Sequence, residues 1–151
     1  MGLSKRGQYL YGETASDIVP VLDSLARGHG GAVSHYAEAV CGCGCREFAV
    51  AVDEKQASAT LECGDCNVVL HTGPVVPSVD DPSQTGTEPC VCPCEGEFFE
   101  VCAAVVLSPG RSPRWLFLAL RCTNCGLVAG YANWELPPRA RRPIWRVVKP
   151  A

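Results

Sequence analysis

The cysteines carry the chemistry of this sequence. There are 11 of them in 151 residues, at 41, 43, 45, 63, 66, 90, 92, 94, 102, 122 and 125. They fall into a pattern that occurs twice: C-x-C-x-C followed by C-x-x-C, then the same again, with Cys102 left over. The flanks repeat as well. Cys45-Arg46-Glu47-Phe48 matches Cys94-Glu95-Gly96-Glu97-Phe98 with one insertion, and Leu61-Glu62-Cys63 matches Leu120-Arg121-Cys122. A short apolar run follows each C-x-x-C. The triplet and the pair are separated by 17 residues in the first copy and 27 in the second, so the second copy has the longer middle.

Clustered thiols can cross-link or bind metal. An odd count, the absence of a secretory leader at the amino end and the poor bridging geometry of C-x-C neighbours all disfavour disulfides. Two cysteine clusters brought together by a hairpin instead suit Zn²⁺, which takes four ligands tetrahedrally. We therefore expect two zinc ions per chain. Cys43, Cys45, Cys63 and Cys66 are predicted to hold one ion, and Cys92, Cys94, Cys122 and Cys125 the other. The C-x-C nearest the hairpin is preferred in each triplet, with Cys41 and Cys90 as the alternates. An iron–sulfur cluster would also accept four cysteines, but the hairpin frame favours zinc.

Other chemistry is thinly represented. Cys45-Arg46-Glu47 imitates half of a zinc deaminase signature, but Cys63 follows Glu62 rather than proline. No H-E-x-x-H, G-x-S-x-G, P-loop or G-x-G-x-x-G occurs. His71, and His35 with Glu38, lie near the clusters without forming a motif. No catalytic residue is assigned. Cys41, Cys90 and Cys102 are surplus to two four-thiolate sites, which leaves a thiol-redox or zinc-responsive switch as one functional alternative. Cys102, inside an apolar run, reads more simply as a small buried hydrophobe.

The segments between the clusters must position them. Phe48, Val50 and Val52 alternate with period two, residues 53–56 are polar, and Ala59 and Leu61 resume the alternation: strand, turn, strand. In the second copy, Phe98 to Leu107 and Trp115 to Leu120 are almost continuously apolar, and Ser108 to Pro113 break them. Continuous apolarity predicts burial on both faces, in part against the first copy. The order knuckle, strand, turn, strand, knuckle, third strand resembles a tandem zinc ribbon over residues 41–72 and 90–134. The C-x-x-C halves match that pattern, and the triplets depart from it. The combination also looks like the structural zinc site of formaldehyde-activating-enzyme-type folds. Those carry a further cysteine cluster between the two pairs, which is missing here, so their chemistry is not carried over.

The expected fold is mainly β with a short N-terminal helix and two tandem zinc-ribbon-like hairpin units. The divisions are 1–40, 41–73, a Pro-rich linker 74–89, 90–136, and a basic tail 137–151. Residues 14–28 read as the helix, capped by Ser16 or Asp17 and ended by Gly28, with Ile18, Val19, Leu22 and Leu25 on its apolar face.

The formal net charge of −3 hides a division. Residues 37–110 hold two bases and twelve acids, whereas residues 111–151 hold eight bases and one acid. The tail either lies along the acidic first copy or contacts nucleic acid through Arg139, Arg141, Arg142, Arg146 and Lys149. No apolar run reaches the length of a membrane span. The resulting expectation is a cytoplasmic, zinc-binding protein-interaction or regulatory module, with a protein as its partner, nucleic acid as the alternative and no membrane.

Overall fold

The computed structural model describes residues 3–53, 58–72, 88–110, 113–135 and 145–149. Among them, the strands are β1 (Ser4–Arg6), β2 (Tyr9–Tyr11), β3 (His35–Glu38), β4 (Phe48–Asp53), β5 (Ser58–Cys63), β6 (Val69–Thr72), β7 (Glu88–Pro89), β8 (Phe99–Leu107), β9 (Pro113–Cys122), β10 (Leu127–Glu135) and β11 (Arg146–Lys149), with one α-helix, α1 (Ile18–Gly28). All the strands join one sheet in the order β1-β2-β10-β9-β8-β4-β5-β6-β11, while β3 pairs with β8 and β7 with β4.

The two cysteine repeats become two antiparallel meanders, β4-β5-β6 and β8-β9-β10, which meet where Phe48 pairs with Phe99. Each of these phenylalanines also stands opposite the first cysteine of its own C-x-x-C, Phe48 opposite Cys63 and Phe99 opposite Cys122. Matching residues of the two copies thus face each other across the junction, the signature of an internal two-fold. The lead-in strands obey it too, but exchanged. β3 precedes the first repeat and pairs with β8 of the second, Ala37 opposite Ala103 and Glu38 opposite Cys102. β7 precedes the second repeat and pairs with β4 of the first, Glu88 opposite Val52 and Pro89 opposite Ala51. The next residue donates its N–H in the same way on each side: Ala39 to the Val101 carbonyl at 2.9 Å, Cys90 to the Val50 carbonyl at 2.8 Å. The repeats are intertwined by this exchange.

Strand alternation sorts β8 and β9 onto two cores. Val101, Ala103, Val105, Leu116, Leu118 and Leu120 join Phe48, Val50, Val52 and Leu61 in a core shared by both repeats. Cys102, Ala104, Val106, Phe117 and Ala119 point the other way, beneath Ile18, Leu22 and Ala26 of α1. Burial on both faces follows the continuous apolarity of these strands. Burying Ile18 and Leu22 contributes about 1.5–3 kcal/mol each. The close approach of α1 uses Gly130, where a Cβ would come within 2.6 Å of Leu25 Cδ1. The helix starts after Asp17, whose carboxylate accepts the N–H groups of Glu13 and Thr14. It runs through Gly28 and stops at Gly30, which takes a left-handed φ of +77°.

At the sheet margins, β2 pairs with β10 and β11 with β6, so the backbone of residues 146–149 lies along the first repeat. The stretch 74–89, expected as a linker, ends in the paired strand β7, and its residues 74–87 lie outside the described ones. No helix among the described residues is long and apolar enough to cross a membrane.

Candidate metal centres

Two sets of four sulfurs converge. Cys41, Cys43, Cys63 and Cys66 form one, and Cys92, Cys94, Cys122 and Cys125 the other; within each set every ligand atom lies within 4.8 Å of the rest. The sets are near copies. Cys41 Sγ is 3.4 Å from Cys66 Sγ, and Cys92 Sγ is 3.5 Å from Cys125 Sγ. Cys43 Sγ to Cys63 Sγ and Cys94 Sγ to Cys122 Sγ are each 3.6 Å.

Backbone turns create this geometry. The Cys41 N–H donates to the Cys45 carbonyl at 2.9 Å and the Gly44 N–H to the Cys41 carbonyl at 2.8 Å; Cys92 with Gly96, and Glu95 with Cys92, repeat both bonds at 2.9 and 2.8 Å. Gly44 and Glu95 both take positive φ, +93° and +74°. The C-x-x-C turns match as well. Asn67 and Gly126, at φ +64° and +85°, return their N–H groups to the Cys63 and Cys122 carbonyls.

In the first repeat these turns gather a different four sulfurs from the expected set. Cys45, expected as a ligand, stands outside the four-sulfur group, and Cys41, held as an alternate, is inside it. The two copies align without a gap, Cys41 with Cys92, Cys43 with Cys94, Cys45 with Gly96 and Phe48 with Phe99. The insertion inferred from matching Cys45 to Cys94 is therefore absent. The chain leaves the site at the left-handed residue, and Cys45 comes after it. In the second repeat the group is the expected one, and Cys90 occupies the place of Ala39, just after the lead-in strand.

Electrostatics around the sulfurs favour a cation. Burial opposes ionisation of Cys63, but the N–H groups of Cys66 and Asp65 directed at its sulfur (3.5 and 3.4 Å) bring the thiol down to about 6. The Asn124 amide and the Gly96 N–H, both 3.4 Å from Cys94 Sγ, hold that thiol down to about 6. Their neighbours move the other way. The Val68 N–H favours the Cys66 thiolate, yet the adjacent Cys41 thiol and burial push Cys66 up to about 12. Burial also raises Cys92. Four crowded thiols cannot all ionise against one another unless a positive charge sits among them.

The remaining candidates lie elsewhere. Cys102 is buried beneath α1, and burial raises its thiol to about 11. Burial likewise raises Cys90 to about 11, against the hydrogen bond of Tyr131. His71 belongs to neither group; it is fully buried on β6, opposite Thr60. His35 Nδ1 contacts Ser34 Oγ at 2.9 Å, and Glu38 forms an ion pair with Arg46, also at 2.9 Å. Arg139, Arg141 and Arg142 lie outside the described residues, and only the backbone positions of Arg146 and Lys149, on β11, are described.

No family model, curated protein or solved structure matches this chain. Two tetracysteine groups can each hold a metal ion. Asn124, Asn67 and Gly126 were not singled out from the sequence, because their roles come from backbone turns and from N–H groups directed at sulfur.

One asymmetry separates the repeats. Beside the first, Trp145 packs against the shared core and its indole N–H donates to the Ala37 carbonyl at 3.1 Å. The matching stretch of the second repeat runs from Glu88 to Pro93. Beside it lies an apolar cleft of about 190 Å³, lined by Cys90, Val91, Pro93, Leu127, Tyr131 and Tyr9 among others. Val91, Tyr131 and Tyr9 expose large apolar surfaces there.

Proposed function

We propose that the chain binds two structural zinc ions and presents the second repeat's apolar cleft to a protein partner. The observation that carries the metal reading is the duplicated sulfur geometry. A tetrahedral site with Zn–S bonds of about 2.3 Å has its sulfurs about 3.8 Å apart, and the closest pairs here stand 3.4–3.6 Å apart. A four-iron cluster fills the space between its thiolates and holds them much further apart. Four thiolates leave no open position for a substrate, which supports a structural role for the metal. Its cysteines join the hairpin ends of each repeat, and structural zinc supplies apparent binding free energies of about 10–16 kcal/mol in finger peptides.

The interaction reading is supported by the cleft beside Val91 and Tyr131. Trp145 packs against the shared core and bonds the lead-in strand of the first repeat, which supports an aromatic side chain on an extended partner segment as the occupant of the second repeat's cleft. Metal analysis with native mass spectrometry tests the first part, with two zinc ions per chain expected. Selection from a displayed peptide library tests the second. Aromatic-anchored binders that are lost with Val91→Asp, at unchanged metal content, support it. Binding indifferent to Val91→Asp overturns it.

A further inference from the structure

Phe98 touches the C-x-x-C turns of both repeats. It belongs to the second, where its carbonyl accepts the Thr123 N–H at 3.1 Å and the Thr123 hydroxyl at 3.0 Å, between Cys122 and Cys125. Its ring lies against the first: a Cβ at Gly64, between Cys63 and Cys66, would stand 3.3 Å from Phe98 Cε1. Glu47, the counterpart of Phe98, offers the Gly64 N–H the matching carbonyl at 3.0 Å but carries no ring. Phe98 is 42% exposed, a large apolar side chain held between two turns rather than in a core. The sites are also joined beneath it. Cys63, Phe48, Phe99 and Cys122 are buried neighbours in one row across β5, β4, β8 and β9. Three strand spacings put the two ligands about 14 Å apart along that row.

We propose that the two metal sites load cooperatively, with Phe98 as the side chain that joins their turns. Each site takes its first ligand from a stretch paired with the other repeat. Cys41 comes two residues after the Ala39 N–H bond to Val101, and Cys92 two residues after the Cys90 N–H bond to Val50. The two residues of β7 are a short hold by themselves, and an ion on Cys92 fixes them against β4. Whichever ion binds first bears the cost of ordering this junction, and the second meets a site already assembled. The Phe98 ring carries that order from one C-x-x-C turn to the other. The chain thus passes between metal-free and doubly loaded forms over a narrower range of free zinc than independent sites allow. This inference rests on the reading that both sites bind metal, and it adds how they respond to zinc level.

The test uses the full chain, stripped of metal under reducing conditions and titrated with chelator-buffered zinc. Native mass spectrometry counts the chains that hold zero, one and two ions. At half saturation, independent sites of equal affinity leave about one half of the chains singly loaded, and unequal affinities leave more. Coupling leaves fewer, and a tenfold coupling leaves about a quarter. The wild type is expected at about a quarter or less. Phe98→Ala should still bind two ions but raise the singly loaded fraction towards one half. Glu47→Ala, the matching substitution in the first repeat, should keep the wild-type distribution. A singly loaded fraction of one half or more in the wild type overturns the coupling without reference to any variant. Equal distributions in wild type and Phe98→Ala overturn the role of Phe98. A chain that holds no zinc at any concentration overturns the metal reading and this inference with it, an outcome distinct from two ions loading independently.

Discussion

Phe48 pairs with Phe99, its own counterpart in the other repeat, and the two phenylalanines sit where the first strands of both meanders meet. Both are buried in the shared core. Each repeat also borrows a lead-in strand from the other. Neither half can therefore unfold without stripping a strand from its partner. Phe48→Ala or Phe99→Ala should each cost about 3–5 kcal/mol. Unfolding of the wild type in denaturant should be a single transition by both fluorescence and circular dichroism. Two separable transitions, one per repeat, would show that the exchange of lead-in strands does not couple them.

Cys66 and Cys125 hold matching places in the two sulfur groups. Cys66→Ser and Cys125→Ser should each lower the metal content from two to one. Because the repeats are interlocked, either should lower the stability of the whole sheet. Cys45→Ser should retain two ions. Cys102→Ala, which trims a small apolar group beneath α1, should cost about 1 kcal/mol and leave metal unchanged. Native mass spectrometry distinguishes these outcomes directly. A Cys45→Ser protein with one ion would return Cys45 to the ligand set.

Much of this architecture was legible in the residues. Period-two alternation from Phe48 to Val52, and the doubled apolar run of the second copy, located the strands to within a few residues. The leading helix and its face followed from Ile18, Leu22 and Leu25. What could not be read was which residues of each triplet converge, because C-x-C-x-C offers overlapping pairs of equal spacing. The choice is made by hydrogen bonds inside the turn and by the positive φ of Gly44 and Glu95, and glutamate does not advertise that conformation. The ungapped match of Phe48 to Phe99 would have revealed it. The exchange of β3 and β7 was equally hidden, since pairing partners far apart in the chain leave no local signature in either strand. The burial of His71, where β11 pairs with β6 and Arg146 stands opposite it, likewise has no local signature.

Asn67 and Gly126 show how far the two-fold extends. Both hold positive φ at the end of a C-x-x-C turn. A Cβ at Gly126 would come within 2.7 Å of the Gly12 carbonyl oxygen, on the segment just after β2. Gly126→Asn should therefore be destabilising by about 1–3 kcal/mol despite importing the residue its counterpart uses. Asn67→Gly keeps the conformation accessible and should change stability by less than about 1 kcal/mol. Thermal denaturation of both variants checks this. Equal tolerance would mean that the segment after β2 gives way easily.

Tyr36 and Asp23 tie β3 to α1 through a phenol-to-carboxylate hydrogen bond. The Asp23 acceptor, then burial, raises the Tyr36 phenol from an ordinary value of 10.0 to about 12. The bond requires the protonated phenol, so its contribution is fully present below pH 10 and is lost as pH rises towards 12. An exposed bond of this kind contributes no more than about 1 kcal/mol, as water competes for both partners. Absorbance titration near 295 nm should show one of the four tyrosines ionising after the others. Tyr36→Phe should remove that late phase and lower the melting temperature slightly at neutral pH, with the difference from wild type shrinking as pH approaches 12. A late phase that survives in Tyr36→Phe would assign it to another tyrosine and leave the link between helix and lead-in strand without this bond.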